Sequence, residues 1–304
     1  MPAVTAENLT KRFGSLTALD GVTFAAEQGE LFGVIGPDGA GKTTLFRLLV
    51  TLSRPDAGRA TVLGFDVVRQ YAEVRRRVGY MPGRFSLYPD LTVAENLAFF
   101  AALFHADPAE GRDLIAPIYG MLERFASRPA GKLSGGMKQK LALSCALIHR
   151  PAVLFLDEPT TGVDPISRRE FWTILGQLRS QGMTIVVSTP YMDEAARCDR
   201  IALCHEGRLL GINTPDGVRR GFGAELFGLS AGGDRHALLL AARRFGATGS
   251  CYAFGAELHL TFRGCPDPGG LLAHLSQKGF TDVRLRPIEP GIEDCFMKLT
   301  EHHD

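Results

Sequence analysis

Gly36-Pro37-Asp38-Gly39-Ala40-Gly41-Lys42-Thr43 sets three glycines, a lysine and a hydroxyl in the spacing G-x-x-x-x-G-K-T. Glycines let successive backbone N–H groups turn inward around a polyanion, and a lysine placed after them can reach the oxygens of two neighbouring phosphates. The Thr43 hydroxyl would be a ligand for Mg²⁺, and Thr44 follows it in the sequence. A glycine turn that only joins a strand to a helix would not need the Lys-Thr pair. The whole run from Gly36 to Thr44 is therefore read as a nucleotide-binding loop, with Lys42 on the β and γ phosphates.

A second set of chemistry lies at Val153-Leu154-Phe155-Leu156-Asp157-Glu158, an apolar run ending in two carboxylates. Beside a phosphate loop, Asp157 would support Mg²⁺ through water and Glu158 would polarise the attacking water. The other reading makes Asp-Glu-Pro-Thr a helix-capping turn with solvated acids. A second anion site is expected at Leu133-Ser134-Gly135-Gly136-Met137-Lys138-Gln139. There Ser134 is a helix N-cap, and Gly135 and Gly136 leave backbone N–H groups uncovered.

These residues need a scaffold. LFGVI (Leu31 to Ile35) is apolar on both faces, as a buried parallel strand is, and it runs straight into the loop and the helical TLFRLLVTL. Strands are also expected at Val4 to Leu9, Leu19 to Phe24, Ala152 to Leu156 and Thr184 to Ser188, with breaks at Gly14, Gly21 and Gly29. REFWTILGQLRSQG lies between the last two as the helix of a βαβ crossover. From Val93 to Ile148 the three- and four-residue spacing of apolar side chains is helical in ENLAFFAALF, DLIAPIYGMLERF and KQKLALSCALI. After Gly221 the pattern reads β, α, β-hairpin, α, β, a small α+β unit similar to a ferredoxin-like arrangement, with no catalytic constellation.

The length of 304 residues suits about two domains. Lys and Arg number 34 against 33 Asp and Glu, so the net charge of +1 gives no reason to expect a nucleic-acid partner. The six cysteines form no C-x-x-C pair and are expected to be reduced thiols. No run reaches the roughly 18 apolar residues of a membrane helix, so a soluble protein is expected whose membrane role would need a separate partner.

The phosphate loop, LSGGMKQ, LFLDEPTTGVDP and STPYMDEA together resemble the ATP-binding cassette (ABC) family over about residues 1–220. The resemblance implies a P-loop NTPase: an α/β RecA-like core, an antiparallel β subdomain, a helical subdomain at about 88–148, and here a C-terminal α+β domain at 221–304. It also implies that Ser134, Gly135 and Gly136 close on ATP held by a second cassette. Gly162-Val163-Asp164 would lie at the dimer seam. Phe13 in TKRFG would stack on adenine, although a core aromatic is the equal alternative. The string from Gly291 to Thr300 looks like the closing helix of the drug and polyketide export branch.

Two positions depart from the family pattern. Gly83 stands where a Gln normally touches Mg²⁺ and couples to the membrane subunit, and Pro190 stands where a switch His follows the last core strand. Neither can do the usual work, since glycine has no side-chain oxygen and proline no imidazole. A slip of alignment is the alternative. The neighbouring Arg84 and Tyr191 are not expected to substitute. The expected function is the ATP-binding and hydrolysing subunit of an exporter, using ATP and Mg²⁺. It would work on the cytoplasmic face of the membrane beside a permease and a second cassette, in a homodimer or an asymmetric pair. An ATP-gated regulatory subunit and a soluble ABC-type protein acting elsewhere are the alternatives.

Overall fold

A computed structural model describes residues 1–83 and 86–301. In the first compact unit, Met1–Pro215, the chain order is β1 (Pro2–Phe13), β2 (Leu16–Glu27), β3 (Leu31–Ile35), α1 (Lys42–Leu49), β4 (Ala57–Val62), β5 (Phe65–Asp66), α2 (Tyr71–Arg77) and β6 (Val78–Met81). Then follow α3 (Val93–Leu103), α4 (Pro108–Tyr119), α5 (Gly135–Leu147), β7 (Val153–Asp157), α6 (Pro165–Ser180), β8 (Thr184–Thr189), β9 (Arg200–His205) and β10 (Arg208–Asn213).

The central sheet has the order β10-β9-β3-β8-β7-β6. Its strands from β9 to β6 run parallel, and β10 closes the edge antiparallel. Every residue of β3, β7 and β8 is buried, which explains their unbroken apolar runs. β8 is inserted between β3 and β7, so the loops after all three leave the same edge of the sheet. In open α/β sheets that carboxyl edge is where ligands bind.

A second sheet, β2-β1-β4-β5, is antiparallel. Its first hairpin is longer than the sequence suggests. Gly21, expected to break a strand, lies inside β2 at φ +65°, where the β1–β2 register slips. The glycine is absorbed as a bulge rather than ending the strand.

Helices α3, α4 and α5 make up the helical part. Thr92 and Glu95 form a reciprocal capping box at the start of α3. Fully buried Asn96 holds the preceding loop by hydrogen bonds to the backbone of Tyr88 and Leu91. The helix expected through Phe125 stops at Tyr119, before Gly120, and Glu123–Phe125 forms a single 3₁₀ turn.

The second unit, Asp216–Asp304, is entered through α7 (Pro215–Arg220). It contains β11 (Leu226–Ser230), α8 (Arg235–Arg243), β12 (Thr248–Phe254), β13 (Glu257–Phe262), α9 (Pro268–Gln277), β14 (Arg284–Ile288) and α10 (Ile292–Glu301). The sheet order β12-β13-β11-β14, all antiparallel, is that of a ferredoxin-like unit. The division falls N-terminal to residue 220 because Val218 of α7 packs with Phe222, Leu226 and Cys295. The sequence of this unit carries an expectation of no catalytic constellation and says nothing of a polar cluster. Asp294, at the start of α10, accepts hydrogen bonds from Tyr252 and the Gly291 N–H and meets His259 Nδ1 at 2.6 Å. This cluster anchors α10 to the sheet. All six cysteines are free thiols, and all but Cys265 are buried.

Candidate nucleotide site

The loop after β3 is shaped by glycines. A Cβ on Gly36 would lie 2.1 Å from the carbonyl oxygen of Cys204, and one on Gly41 would lie 2.5 Å from that of Ala18. Gly39 and Gly41 take φ of +82° and +98°, which favours glycine strongly. Gly41 caps α1 without any side chain, so the first N–H groups of that helix remain directed at the cleft. Not every loop residue faces outward: Ala40 turns its side chain into the core, and its carbonyl accepts from the Gly207 N–H. Asp38 is exposed.

Lys42 is buried, and its Nζ donates to the carbonyls of Gly36 and Pro37 at 2.8 Å each. The same Nζ lies 3.0 Å from Glu158 Oε1. Asp157 is also buried and is not a solvated turn acid. Its carboxylate accepts from the Ser188 hydroxyl at 2.7 Å and from the Thr43 hydroxyl. Burial raises its pKa, the Ser188 and Thr43 hydroxyls pull it back, the Glu158 charge raises it further, and Lys42 lowers it. Glu158 adopts φ +49° and its N–H donates to Ser188, which projects the partly exposed carboxylate toward the cleft. The turn does not cap α6. Asp164 does that, accepting from the N–H groups of Ile166 and Ser167.

A cleft of about 610 Å³ joins these groups to the first hairpin. Phe13 stands on its wall, 52% exposed, so it is not a core aromatic. Thr43 and Thr44 line the floor with Glu158. Glu206, Thr17 and Ala18 complete the wall, and the sequence reading named none of them. They arrive through long-range pairing: the turn at Glu206 and Gly207 meets β2 through Asp20 N–H to Gly207 O and through the Arg208–Asp20 ion pair.

Ser134, Gly135 and Gly136 do not line this cleft. Ser134 caps α5, accepting from the Met137 N–H, and is exposed beside Gly135. A Cβ on Gly136 would lie 2.6 Å from Ser167 Cβ, and one on Gly135 would lie 3.5 Å from Gly162 O. Gly135 and Gly136 therefore sit against the loop that opens α6. Gly83 follows β6 and lies beside the end of β7, where a Cβ would come within 3.0 Å of Asp157 O and 3.7 Å of Glu158 Cβ. Pro190 follows β8 directly. Tyr191 is occupied elsewhere, under the Arg168 guanidinium at 4.1 Å, and Arg84 lies outside the described residues. The sequence reading also missed Glu194, a buried carboxylate that accepts from Thr160, Thr189 and Arg168.

Thr43 and Asp157 offer hard oxygen donors suited to Mg²⁺ next to phosphate oxygens, and the glycine cradle suits a polyphosphate. A phosphate loop between a buried parallel strand and a helix, with two acids at the end of a parallel strand two places away in the sheet, defines a P-loop nucleotide hydrolase. A family model described as ABC transporter matches residues 19–161.

The chain is 37% identical over 303 residues to the Nod factor export ATP-binding protein I of Burkholderia orbicola, covering 96% of this chain and 95% of that one. It belongs to the ABC transporter family, as an ATP-binding ABC-type ATPase. It is also 45% identical over 221 residues to the Probable multidrug ABC transporter ATP-binding protein YbhF of Escherichia coli, covering 71% of this chain but 38% of that longer protein. A solved dimeric ATP-binding cassette in a post-hydrolysis state with ADP and Pi aligns at a TM-score of 0.62 and 26% identity, covering 69% of this chain and 98% of that one. No helix among the described residues is long and apolar enough to cross a membrane.

Proposed function

We propose that this chain hydrolyses ATP to drive export through a separate membrane permease, lying against the cytoplasmic face of the membrane and paired with a second cassette. The observation that carries the reading is the separation of two anion sites on one chain. The cleft is lined by Lys42, Thr43 and Glu158, with buried Asp157 behind them, while the helix start with exposed Ser134 and Gly135 and buried Gly136 does not line it. Such half-sites are completed when two cassettes meet. Ile166, 71% exposed beside Gly162, Val163 and Asp164, supplies apolar surface for that seam.

In this account Phe13 stacks on the adenine ring, and the loop N–H groups with Lys42 hold the β and γ phosphates. Thr43 and Asp157 hold Mg²⁺, which when bound offsets phosphate charge. Glu158 orients the attacking water and takes up its proton. A phosphate in the loop competes with Glu158 for Lys42, so nucleotide entry and release of the base are the same event. An apolar groove of about 610 Å³, walled by Leu52, Leu87, Phe100, Leu103 and Phe104, lies between the sheet and the helical part. It is the surface we assign to the permease, through which closure of the pair would be transmitted. The near-zero net charge offers no broad basic surface to nucleic acid.

One observation favours a second reading. Gly83 and Pro190 remove two side chains that the family uses to sense the γ-phosphate, so a regulatory subunit with little turnover is the rival. Steady-state phosphate release by the purified chain with Mg²⁺ and ATP separates the two. Turnover that disappears in Glu158→Gln supports hydrolysis, and ATP binding without release supports the rival.

A further inference from the structure

Two loops leave the carboxyl edge of the sheet side by side. The one after β7 carries Glu158, and the one after β8 begins at Pro190. Glu194, on the 3₁₀ turn Met192–Arg197, is 3% exposed and joins them. Its Oε1 accepts from the Thr160 hydroxyl at 2.8 Å and from Arg168 Nε and Nη2 at 3.1 and 3.0 Å. Its Oε2 accepts from the Thr189 hydroxyl at 2.5 Å. Thr160 and Thr189 are buried as well, so both contacts are shielded from solvent. One carboxylate thus ties the loop after β7 to the end of β8 and to the start of α6. A carboxylate suits this work because both of its oxygens only accept, whereas an amide in its place would present a donor to one of the hydroxyls.

Glu158 is the residue in need of such a tie. Its φ of +49° is unfavourable for a residue with a side chain, and backbone of this kind persists only where its surroundings over-determine it. Before the strained residue, the anchor is Ser188, whose carbonyl and hydroxyl accept from the Glu158 N–H. Beyond it, Pro159 has no N–H to give. The Thr161 N–H donates to Glu158 O and the Val163 N–H to Thr160 O, so Thr160 belongs to two successive turns. The side chain that fastens these turns to the sheet is that of Thr160, through Glu194.

We propose that Glu194 is a positioning residue for ATP hydrolysis: by holding Thr160 against Thr189 it fixes the backbone at Glu158 and hence the aim of that carboxylate at the attacking water. The proposal rests on the reading of Glu158 as the base. Glu194 does not line the nucleotide cleft, so it acts only through the loop. Loosening the clamp should therefore lower turnover and leave ATP affinity alone, since the phosphate loop follows a different strand, β3. A displacement of about 1 Å at a reacting group can cost about a hundredfold in rate, so a partial release is measurable.

Thr160→Val removes one arm of the clamp while keeping a buried, β-branched side chain. Phosphate release and equilibrium dialysis are measured on the full chain with Mg²⁺ and ATP. The expected result is a kcat about tenfold lower, with KM and the ATP dissociation constant unchanged. Thr160→Ser, which keeps the hydroxyl, should restore kcat, and Thr189→Val, which removes the other arm, should give the same split. In Glu158→Gln no base remains to be aimed, so adding Thr160→Val should change the residual single-turnover rate by less than about twofold. Unchanged kcat in both valine variants, ATP affinity that falls in step with kcat, or an equal loss in the Glu158→Gln background would overturn the proposal. Full turnover in Glu158→Gln itself, or none in the unmodified chain, would instead remove the reading of Glu158 as the base, and the proposal with it.

Discussion

Lys42 Nζ lies 3.0 Å from Glu158 Oε1, so the side chain proposed to hold the phosphates and the one proposed to activate water form a single ion pair. With the Gly36 and Pro37 carbonyls as its other acceptors, the Lys42 ammonium is pre-placed at the centre of the loop. Lys42→Ala removes that charge and leaves Glu158 facing the incoming phosphates unopposed. ATP affinity is expected to fall about a hundredfold or more, the scale of losing charged hydrogen bonds. Equilibrium dialysis checks this, and unchanged affinity would remove the phosphate loop from the account.

Asp157 illustrates a cost accepted for function. Its pKa is raised above the ordinary 3.8, chiefly by burial. The folded state thus holds this proton more tightly than the unfolded chain does. The stability tied to it is fully present below pH about 3.8 and is lost as pH rises through the higher folded value. Asp157→Asn should therefore raise the melting temperature in nucleotide-free buffer near pH 7 and flatten the decline of stability with rising pH, while Mg²⁺-dependent turnover falls. A variant that melts lower at neutral pH would show that the Lys42, Thr43 and Ser188 contacts outweigh burial.

Gly136 leaves no room for a side chain against Ser167, whose Cβ would be 2.6 Å from an added Cβ. Gly136→Ala should destabilise the chain by about 1–3 kcal/mol through overpacking. Adding Ser167→Gly should recover most of that loss. Chemical denaturation of the single and double variants tests the pairing, and a double variant no better than Gly136→Ala would show that the two helix starts are not coupled.

The asymmetric model makes a separate prediction. If the partner cassette carries the usual Gln and His, its ATP is completed by Ser134, Gly135 and Gly136 of this chain. Ser134→Arg should then damage transport more than Glu158→Gln does. Export and ATPase measured for both variants in membranes holding the full complex decide it. Greater harm from Glu158→Gln, together with robust ATPase from the isolated homodimer, favours a symmetric pair.

What could be read from sequence was what is contiguous. The loop from Gly36 to Thr43, the buried run Leu31 to Ile35 and the acids at the end of Val153–Asp157 each declare their surroundings locally. So does the β, α, hairpin, α, β order of the second unit. The hidden parts depend on distant pairing. Glu206 and Ala18 reach the cleft only because the turn at Gly207 packs on β2, where Asp20 N–H meets Gly207 O. Glu194 becomes a junction only once Thr160, Thr189 and Arg168 converge on it. Gly21 misled because a strand-breaking residue type also serves inside a strand wherever a bulge is needed.

Glu158→Gln tests the central claim most directly. The substitution keeps the shape of the side chain but removes the charge that pairs with Lys42 and the basicity needed to take a proton from water. Phosphate release with Mg²⁺ and ATP, measured alongside gel filtration, should show ATP still bound, turnover slowed by about two to three orders of magnitude, and a dimer that persists while ATP is present. Release at the unmodified rate, with no ATP-dependent dimer, would contradict the assignment of Glu158 as the base and with it the hydrolytic cycle.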